Sequence, residues 1–322
     1  MRVLVSGGTG KVGNAVARAA RNAGHEVHVL ARDPGRAATL LTQGFKFVAG
    51  DVTDPDTLGP AVAGCEVVFN AMGLPEQWLA DEALFDQVNA QGSANLATAA
   101  AAAGVRRFVH TSTIDVFDAP AGGRFDETVL AAKPKGTAYE RSKQRAEKLV
   151  LGAAGSMEVV FTNPATVYGP GPARSASIEQ LFRLVLRGLV PAVPPGGFGV
   201  VFTEGLARGH LLAADVGEPG ERYILCDDHA TMMRLAQTAV SVAGRGRAPR
   251  ITMSAGFAKA MAAAGEAFAH VTGHPPLLSR GQLEFLLWNA VPDSTKARRE
   301  LGWTATPLEI GIRQTLEWAR QT

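Results

Sequence analysis

The sequence predicts an α/β fold: a doubly wound parallel sheet with a smaller, mostly helical C-terminal region that serves the substrate. Three observations carry that expectation. Short apolar runs alternate with helical stretches from Arg2 to Thr162, the pattern of successive βαβ units. The first run, Arg2 to Ser6, passes through Gly7-Gly8-Thr9-Gly10-Lys11-Val12-Gly13 straight into a helix. Beyond Pro170-Gly171-Pro172 the alternation gives way to helical pieces separated by Pro- and Gly-rich loops such as Pro191 to Gly199.

Taken in order, Arg2 to Ser6 is the first buried strand, and the helix after it ends near Gly24. Val27 to Ala31, Phe45 to Ala49 and Glu66 to Asn70 are the next three strands, with helical stretches between them. A long helix over roughly Leu79 to Ala103 precedes strand Arg107 to Thr111. The stretch Tyr139 to Lys143 opens a helix, Ser142 to Gly152, which precedes strand Glu158 to Thr162. Ligands of such sheets sit at the carboxyl ends of the strands. Segment 117–138, with Pro120, Gly122, Gly123 and Pro134, exceeds an ordinary connection and reads as a lid. Later helices are expected at Ile178 to Arg187, Met232 to Val242, Phe257 to Val271, Ser294 to Leu301 and Leu308 to Arg320. One short strand, Tyr223 to Cys226, interrupts them. The division falls at residue 170, with 1–170 as the sheet domain, 171–322 closing over its carboxyl edge, and some segments crossing between them.

The chain has 322 residues, 46% of them hydrophobic, and a formal net charge of +2. That supports a packed globular protein and gives no electrostatic reason to expect nucleic acid or an anionic membrane as partner. No apolar run approaches the roughly 20 residues that span a bilayer, and the apolar start stops at Ser6, too soon for a signal peptide. Cys65 and Cys226 show no metal spacing and make no disulfide framework, so both read as small buried apolar residues. The seven histidines are scattered without ligand spacing, and no metal site is expected. His110 is placed toward the back of the sheet; His210 and His229 read as structural or exposed. The expected setting is soluble and reducing, most simply the cytoplasm.

Chemistry concentrates at five places. Gly7, Gly10 and Gly13 are three apart between a strand and a helix, where backbone N–H groups and the helix dipole favour a pyrophosphate. Glycines in such a place also serve tight turns; in this context they point to a Rossmann-type dinucleotide site. At the end of the second strand, the position where a carboxylate would favour NAD holds Ala31, and Arg32 follows. Arg32, helped by Lys11, can clamp a 2′-phosphate, so NADP is favoured over NAD; the alternative is two solvated cations, with Asp33 neutralising Arg32. Asp51 can accept from an adenine amino group while Val52 packs on the ring, although Asp51, Thr53 and Asp54 are all capping residues and Asp54 is the better cap. Thr111-Ser112-Thr113 places hydroxyls at a strand end where a substrate oxygen would lie. Finally, Tyr139 and Lys143 are one helical turn apart on one face. An ammonium beside a phenol lowers its pKa and prepares it for proton transfer near neutral pH. Asp115 reads equally as a substrate contact or a loop hydrogen bond. Trp78, Phe117, Phe198, Phe202 and Trp288 are candidate pocket walls and equally candidate core.

As an ordered set these motifs resemble the extended short-chain dehydrogenase/reductase superfamily, and within it the NAD(P)-dependent epimerase/dehydratase family. The likeness runs from Ser6-Gly7-Gly8-Thr9-Gly10-Lys11-Val12-Gly13 through Gly50-Asp51-Val52-Thr53-Asp54, Val88-Asn89-Ala90-Gln91-Gly92 and Arg107-Phe108-Val109-His110-Thr111-Ser112-Thr113. It continues in Tyr139 and Lys143, Pro164 to Gly171, and Leu301-Gly302-Trp303. The resemblance implies a Thr113–Tyr139–Lys143 catalytic set, with Tyr139 as acid/base and Lys143 lowering its pKa and bonding the nicotinamide ribose. It also implies that Pro164 and Val167 line the nicotinamide, that Ala71 backs the fourth strand, and that the long helix and the Tyr139 helix form a homodimer interface.

Departures from the pattern bear on substrate. Relatives that handle nucleotide sugars carry an arginine and an asparagine where this chain has Asn163 and Thr166. The acidic pair in the related Val-Asp-Asp-Leu-Ala segment appears as Thr203-Glu204-Gly205-Leu206-Ala207, and Pro194 to Phe202 lacks the basic residue expected near a pyrophosphate. The stretches Gly205 to Ala214 and Gly217 to Leu225 look more like the dihydroflavonol-reductase and hydroxysteroid-dehydrogenase branch. The implied function is hydride transfer to or from a carbonyl or secondary alcohol of a small, largely apolar metabolite. The alternatives are a nucleotide-sugar epimerase or dehydratase that recycles its cofactor, and an NADP-binding sensor without turnover.

Overall fold

The computed structural model describes residues 1–33, 35, 44–172 and 178–321. The first half contains β1 (Arg2–Ser6), β2 (Glu26–Ala31), β3 (Lys46–Ala49), β4 (Val67–Asn70), β5 (Arg107–Thr111), the two-residue β6 (Arg124–Phe125), β7 (Glu158–Pro164) and β8 (Thr166–Tyr168). Its main helices are α1 (Lys11–Asn22), α2 (Gly92–Ala102) and α3 (Ala138–Ala153). The second half adds β9 (Ala192–Val193), β10 (Gly197–Phe202), β11 (Arg222–Leu225), β12 (Asp228–Thr231), β13 (Ile251–Thr252) and β14 (Val291–Pro292). Its helices are α4 (Ile178–Leu186), α5 (Thr203–Val216), α6 (Met232–Ala243), α7 (Ala255–Thr272), α8 (Arg280–Trp288), α9 (Thr295–Leu301) and α10 (Leu308–Gln321). The helical stretch expected between β2 and β3 lies largely outside the described residues.

A seven-stranded sheet, parallel throughout, takes the order β11-β7-β5-β4-β1-β2-β3. The chain winds outward from β1 to β3, returns to β4 beside β1, and winds outward again. The reversal between β1 and β4 opens a crevice at their carboxyl ends, where ligands of such sheets bind. Every residue of β4 and β5 is buried, as inner parallel strands covered on both faces require. On one face Val3, Val5, Val29, Phe69 and Val109 pack with Val16 of α1, Leu206 of α5 and Trp303. On the other, Leu4, Val68, Phe108 and Phe161 pack with Leu96 of α2 and Val150 of α3. A separate cluster (Tyr168, Phe182, Phe198, Phe202, Leu235, Ile312) holds the C-terminal region together around the small sheet β12-β10-β8.

Several elements differ from expectation for physical reasons. α5 and β11 follow residue 170 yet belong to the main sheet layer, so the two parts interleave there. The Gly-rich run 197–202 forms the fully buried strand β10. Its Gly199 disguises it as loop, but a Cβ there would lie 2.9 Å from both Cys226 Sγ and Pro292 Cγ, so the glycine serves close packing. The long helix starts at Ala83, whose N–H bonds Asp81 Oδ1 at 3.0 Å, and passes through a π-wound turn, Asp86–Gln91, before α2. α3 starts at Ala138 because Thr137 and Glu140 cap it reciprocally, at 3.1 and 2.8 Å. The segment read as a lid covers the sheet edge but is fixed in place: β6 pairs with β14, and Trp288 Nε1 donates to Ala119 O at 2.7 Å. Cys65 and Cys226 are buried free thiols. Among the described residues no helix is long and apolar enough to cross a membrane, and no group of three or more His, Cys, Asp or Glu could hold a metal.

Candidate active site

A cavity of about 1130 Å³ runs along the carboxyl edge of the sheet, from Arg32 and Asp51 at one end to Phe285 and Trp288 at the other. The glycine loop forms its floor. Gly7 has φ +70° and presses against the end of β4, where an added Cβ would fall 2.5 Å from the carbonyl oxygen of Ala71; Ala71 lines the same cavity. Gly10 precedes α1 without a side-chain cap, which leaves first-turn N–H groups for a ligand. Thr9, Gly10, Lys11 and Val12 line the space beside them. Gly13 does not line it. Within α1 its Cβ would meet the Gly7 carbonyl at 2.4 Å, so this glycine lets the helix approach the loop. An uncapped helix end facing a cleft that side chains would fill fits the pyrophosphate of a dinucleotide.

Lys11 departs from its expected part. Its ammonium lies 2.5 Å from Glu179 Oε1, with both side chains nearly buried, and the same oxygen accepts the Gly169 N–H at 2.8 Å. The pair ties the glycine loop to α4, so this cation is committed to a carboxylate rather than held for a 2′-phosphate. Arg32 is different. Its side chain is 65% exposed at the end of the cavity, 3.6 Å from Asp51 Oδ2. Burial works against charge on Asp51, but two hydrogen bonds from Thr53 and the nearby Arg32 hold its carboxyl below the usual range. Asp54 caps the turn Pro55–Thr57 as expected. Val52, Pro164 and Val167 all line the cavity.

Thr113, Tyr139 and Lys143 come together at its centre, all buried. β5 ends at Thr111, and Thr113 caps the short turn Ile114–Val116. Lys143 Nζ donates to the Thr111 carbonyl at 2.8 Å. Burial lowers its pKa to about 8, against the charge-sustaining Glu147 and Asp115. The Thr113 side chain neighbours the Tyr139 phenol and works to lower its pKa. The expected lowering of the Tyr139 pKa does not appear: burial first, then the charges of Asp115, Glu76 and Glu140, push it up. Lys143 aims its ammonium at a carbonyl, while the phenol has lost its water, and desolvation dominates. Tyr139 is therefore held as a phenol, a proton donor.

Residues around this centre fix it in place. Asn163 Nδ2 donates to the Thr113 carbonyl at 3.0 Å and to Glu147 Oε1 at 3.3 Å, so it supports the strand end from below. His210 lies within 2.8 Å of Thr111 Oγ1 and 3.0 Å of Thr162 Oγ1, and burial lowers its pKa to about 4. It is structural, as is His110, which pairs with Asn70 at 3.0 Å. Three carboxyl groups escaped or half-escaped the sequence reading. Glu147 had a signal, one turn beyond Lys143 on the same helix. Asp115 Oδ2 accepts from Thr113 Oγ1 at 2.9 Å; burial and the neighbouring Glu140 raise its pKa to about 7. Glu76, in the loop after β4, accepts from Thr137 Oγ1 at 3.0 Å, and burial raises it to about 7. No motif announces Glu76; only the path of the loop brings it here. Of the proposed walls, Phe198 and Trp288 line the cavity, with Leu181, Leu184, Val193, Leu278 and Phe285. Phe117 and Phe202 are core, and Trp78 packs edge-on against His270 at 5.5 Å.

Over its whole length the chain is 28% identical to sterol demethylase protein B of Methylococcus capsulatus, of which it covers 99%. It is 29% identical to a 3 beta-hydroxysteroid dehydrogenase/Delta 5-->4-isomerase of Mycobacterium tuberculosis, over 94% of this chain and 85% of that one. Among solved structures, gox2253 superposes with a TM-score of 0.84 at 29% identity, over 99% of this chain and 98% of the other. The pattern of the NAD dependent epimerase/dehydratase family matches residues 3–244, from the first strand through α6. That match takes in the glycine loop, the Thr113–Tyr139–Lys143 centre and α5 alike, and on it the chain belongs to the NAD dependent epimerase/dehydratase family.

Proposed function

We propose that this chain is an NADP(H)-dependent oxidoreductase that interconverts a carbonyl and a secondary alcohol on a small, largely apolar metabolite. The observation that carries the reading is the position of the Tyr139 centre. It lies where the cavity passes from the glycine-loop end to an end lined by Leu181, Leu184, Val193, Phe198, Leu278 and Phe285. Such a lining favours an apolar ligand with a few polar anchors. The similarity to sterol demethylase protein B and to a hydroxysteroid dehydrogenase supports the same substrate class.

A bound nicotinamide supplies or takes the hydride. In the reducing direction the Tyr139 phenol gives its proton to the carbonyl oxygen as negative charge builds there. Lys143, one turn along α3, places a positive charge beside that exchange. Thr113 bonds the same oxygen and fixes its position. Segment 117–137, pinned to α8 through Trp288, shields the exchange from water. Arg32 at the open end supports a 2′-phosphate and hence NADP.

The test is NADPH oxidation with a panel of apolar ketones and aldehydes, repeated with NADH. Tyr139→Phe should lower kcat by about 10²- to 10⁴-fold while cofactor affinity changes little. Full turnover in that variant would sink the reading. Interconversion of a nucleotide sugar without net change in nicotinamide absorbance would replace it with epimerase chemistry.

A further inference from the structure

The hydrogen-bond count around Thr113 poses a problem for the oxidoreductase reading, on which this inference rests. A hydroxyl has one proton and two acceptor sites. Thr113 Oγ1 lies 2.9 Å from Asp115 Oδ2 and accepts the Asp115 N–H at 3.3 Å, with the Tyr139 phenol beside it. Asp115 Oδ1 is buried without a partner. If Asp115 is ionised, its carboxylate takes the Thr113 proton, and Thr113 keeps only acceptor sites, one of them filled by the Asp115 N–H. Nothing is then left to donate to a substrate oxygen. If Asp115 is protonated, its own O–H donates to Thr113, whose proton is released toward the substrate, and Tyr139 is free to turn to the same oxygen.

We propose that Asp115 is a positioning residue that switches Thr113 between bonding Asp115 and bonding the substrate oxygen, so that carbonyl reduction requires Asp115 to carry a proton. Two donors, Thr113 and Tyr139, then converge on the oxygen where charge develops. The groups that face Asp115 are Glu140, Tyr139 and Lys143 from α3, Glu76 from the loop after β4, and Lys135 from the covering segment. Burial and then Glu140 favour the protonated form, the Thr113 hydrogen bond and then Lys135 and Lys143 oppose it, and the balance lies at about 7.

The experiment compares the pH profile of kcat/KM for carbonyl reduction in the wild type and in Asp115→Asn, whose amide can donate to Thr113 at every pH. Wild-type kcat/KM should fall about tenfold per pH unit above pH 7, and the variant should lack that limb. Lys143, at about 8, titrates in both proteins; because the Asp115 charge helps to sustain its ammonium, its limb lies lower in the variant, and the infrared arm decides where the two limbs overlap. A second arm needs no turnover: difference infrared spectra of wild type against the variant read the protonated carboxyl of Asp115 directly. Its band should vanish as the pH rises through about 7. Loss of the band near the ordinary carboxylate range of about 4, or identical pH profiles in the two proteins, would overturn the proposal. NADPH binding and circular dichroism report whether the variant is folded. A wild type that reduces no carbonyl compound removes the oxidoreductase reading, and the infrared arm still decides the hydrogen-bond switch.

Discussion

Replacing Glu147 by alanine removes the keystone beneath the Tyr139 centre. Its carboxylate is 3% exposed, receives Arg222 Nε at 2.7 Å and accepts from Asn163 Nδ2 at 3.3 Å. Arg222 is itself only 18% exposed and lies over the Phe161 ring at 4.9 Å. Removing one partner of a buried pair leaves the other charge uncompensated, at a cost of about 3–5 kcal/mol. At about 2.1 cal/mol/K per residue, a chain of 322 residues has an unfolding entropy near 0.7 kcal/mol/K, so Tm should fall by roughly 4–7 °C. The effect should reach the site. Glu147 is the first of the charges that sustain the Lys143 ammonium, so its loss should drive the Lys143 pKa further below about 8 and move the alkaline limb of kcat to lower pH. Calorimetry on Glu147→Ala, Arg222→Ala and the double variant would measure the coupling. A Tm loss under about 1 °C, or strict additivity in the double variant, would refute the claim that this pair carries the junction of α3, β7 and β11.

Other perturbations follow from the same geometry. Gly7→Ala would place a Cβ 2.5 Å from a backbone oxygen at φ +70°. Cofactor affinity should drop about 5- to 30-fold by fluorescence titration, because the strain of about 1–2 kcal/mol falls on the loop proposed to bind it. Arg32→Ala should weaken NADPH binding far more than NADH binding, and equal effects would remove the assigned 2′-phosphate contact. Glu76 has a folded-state pKa of about 7, against about 4.3 unfolded. Its raised pKa means the folded chain binds the extra proton, so stability is fully present below about pH 4 and is lost as pH rises through 7. Glu76→Gln should therefore raise Tm relative to wild type at pH 8, by the equivalent of about 3–4 kcal/mol, and change it little at pH 4. Buried His210 works in the opposite sense, losing stability as pH falls from about 6.5 toward its folded value of about 4.

The sequence by itself determined the sheet, the glycine loop and the shared face of Tyr139 and Lys143, because each is a local feature. A strand is written in a run of apolar residues, and a phosphate loop in the spacing of Gly7, Gly10 and Gly13. Tyr139 and Lys143 share a face through the pitch of one helix. What it misjudged depended on partners far along the chain. Lys11 looked like a free cation beside a phosphate, but Glu179, 168 positions later, claims it. Tyr139 looked tuned downward by Lys143, yet its pKa rises because of burial first and then the charges of Asp115 and Glu76 from other segments and of its neighbour Glu140, while the Lys143 ammonium faces a carbonyl. β10 looked like loop because Gly199 serves contact with Cys226 and Pro292, which only the fold brings near. Desolvation and long-range charge belong to the assembled interior, and so the electrostatics of this site, with the carboxyl groups such as Glu76 that set it, was decided by the tertiary structure.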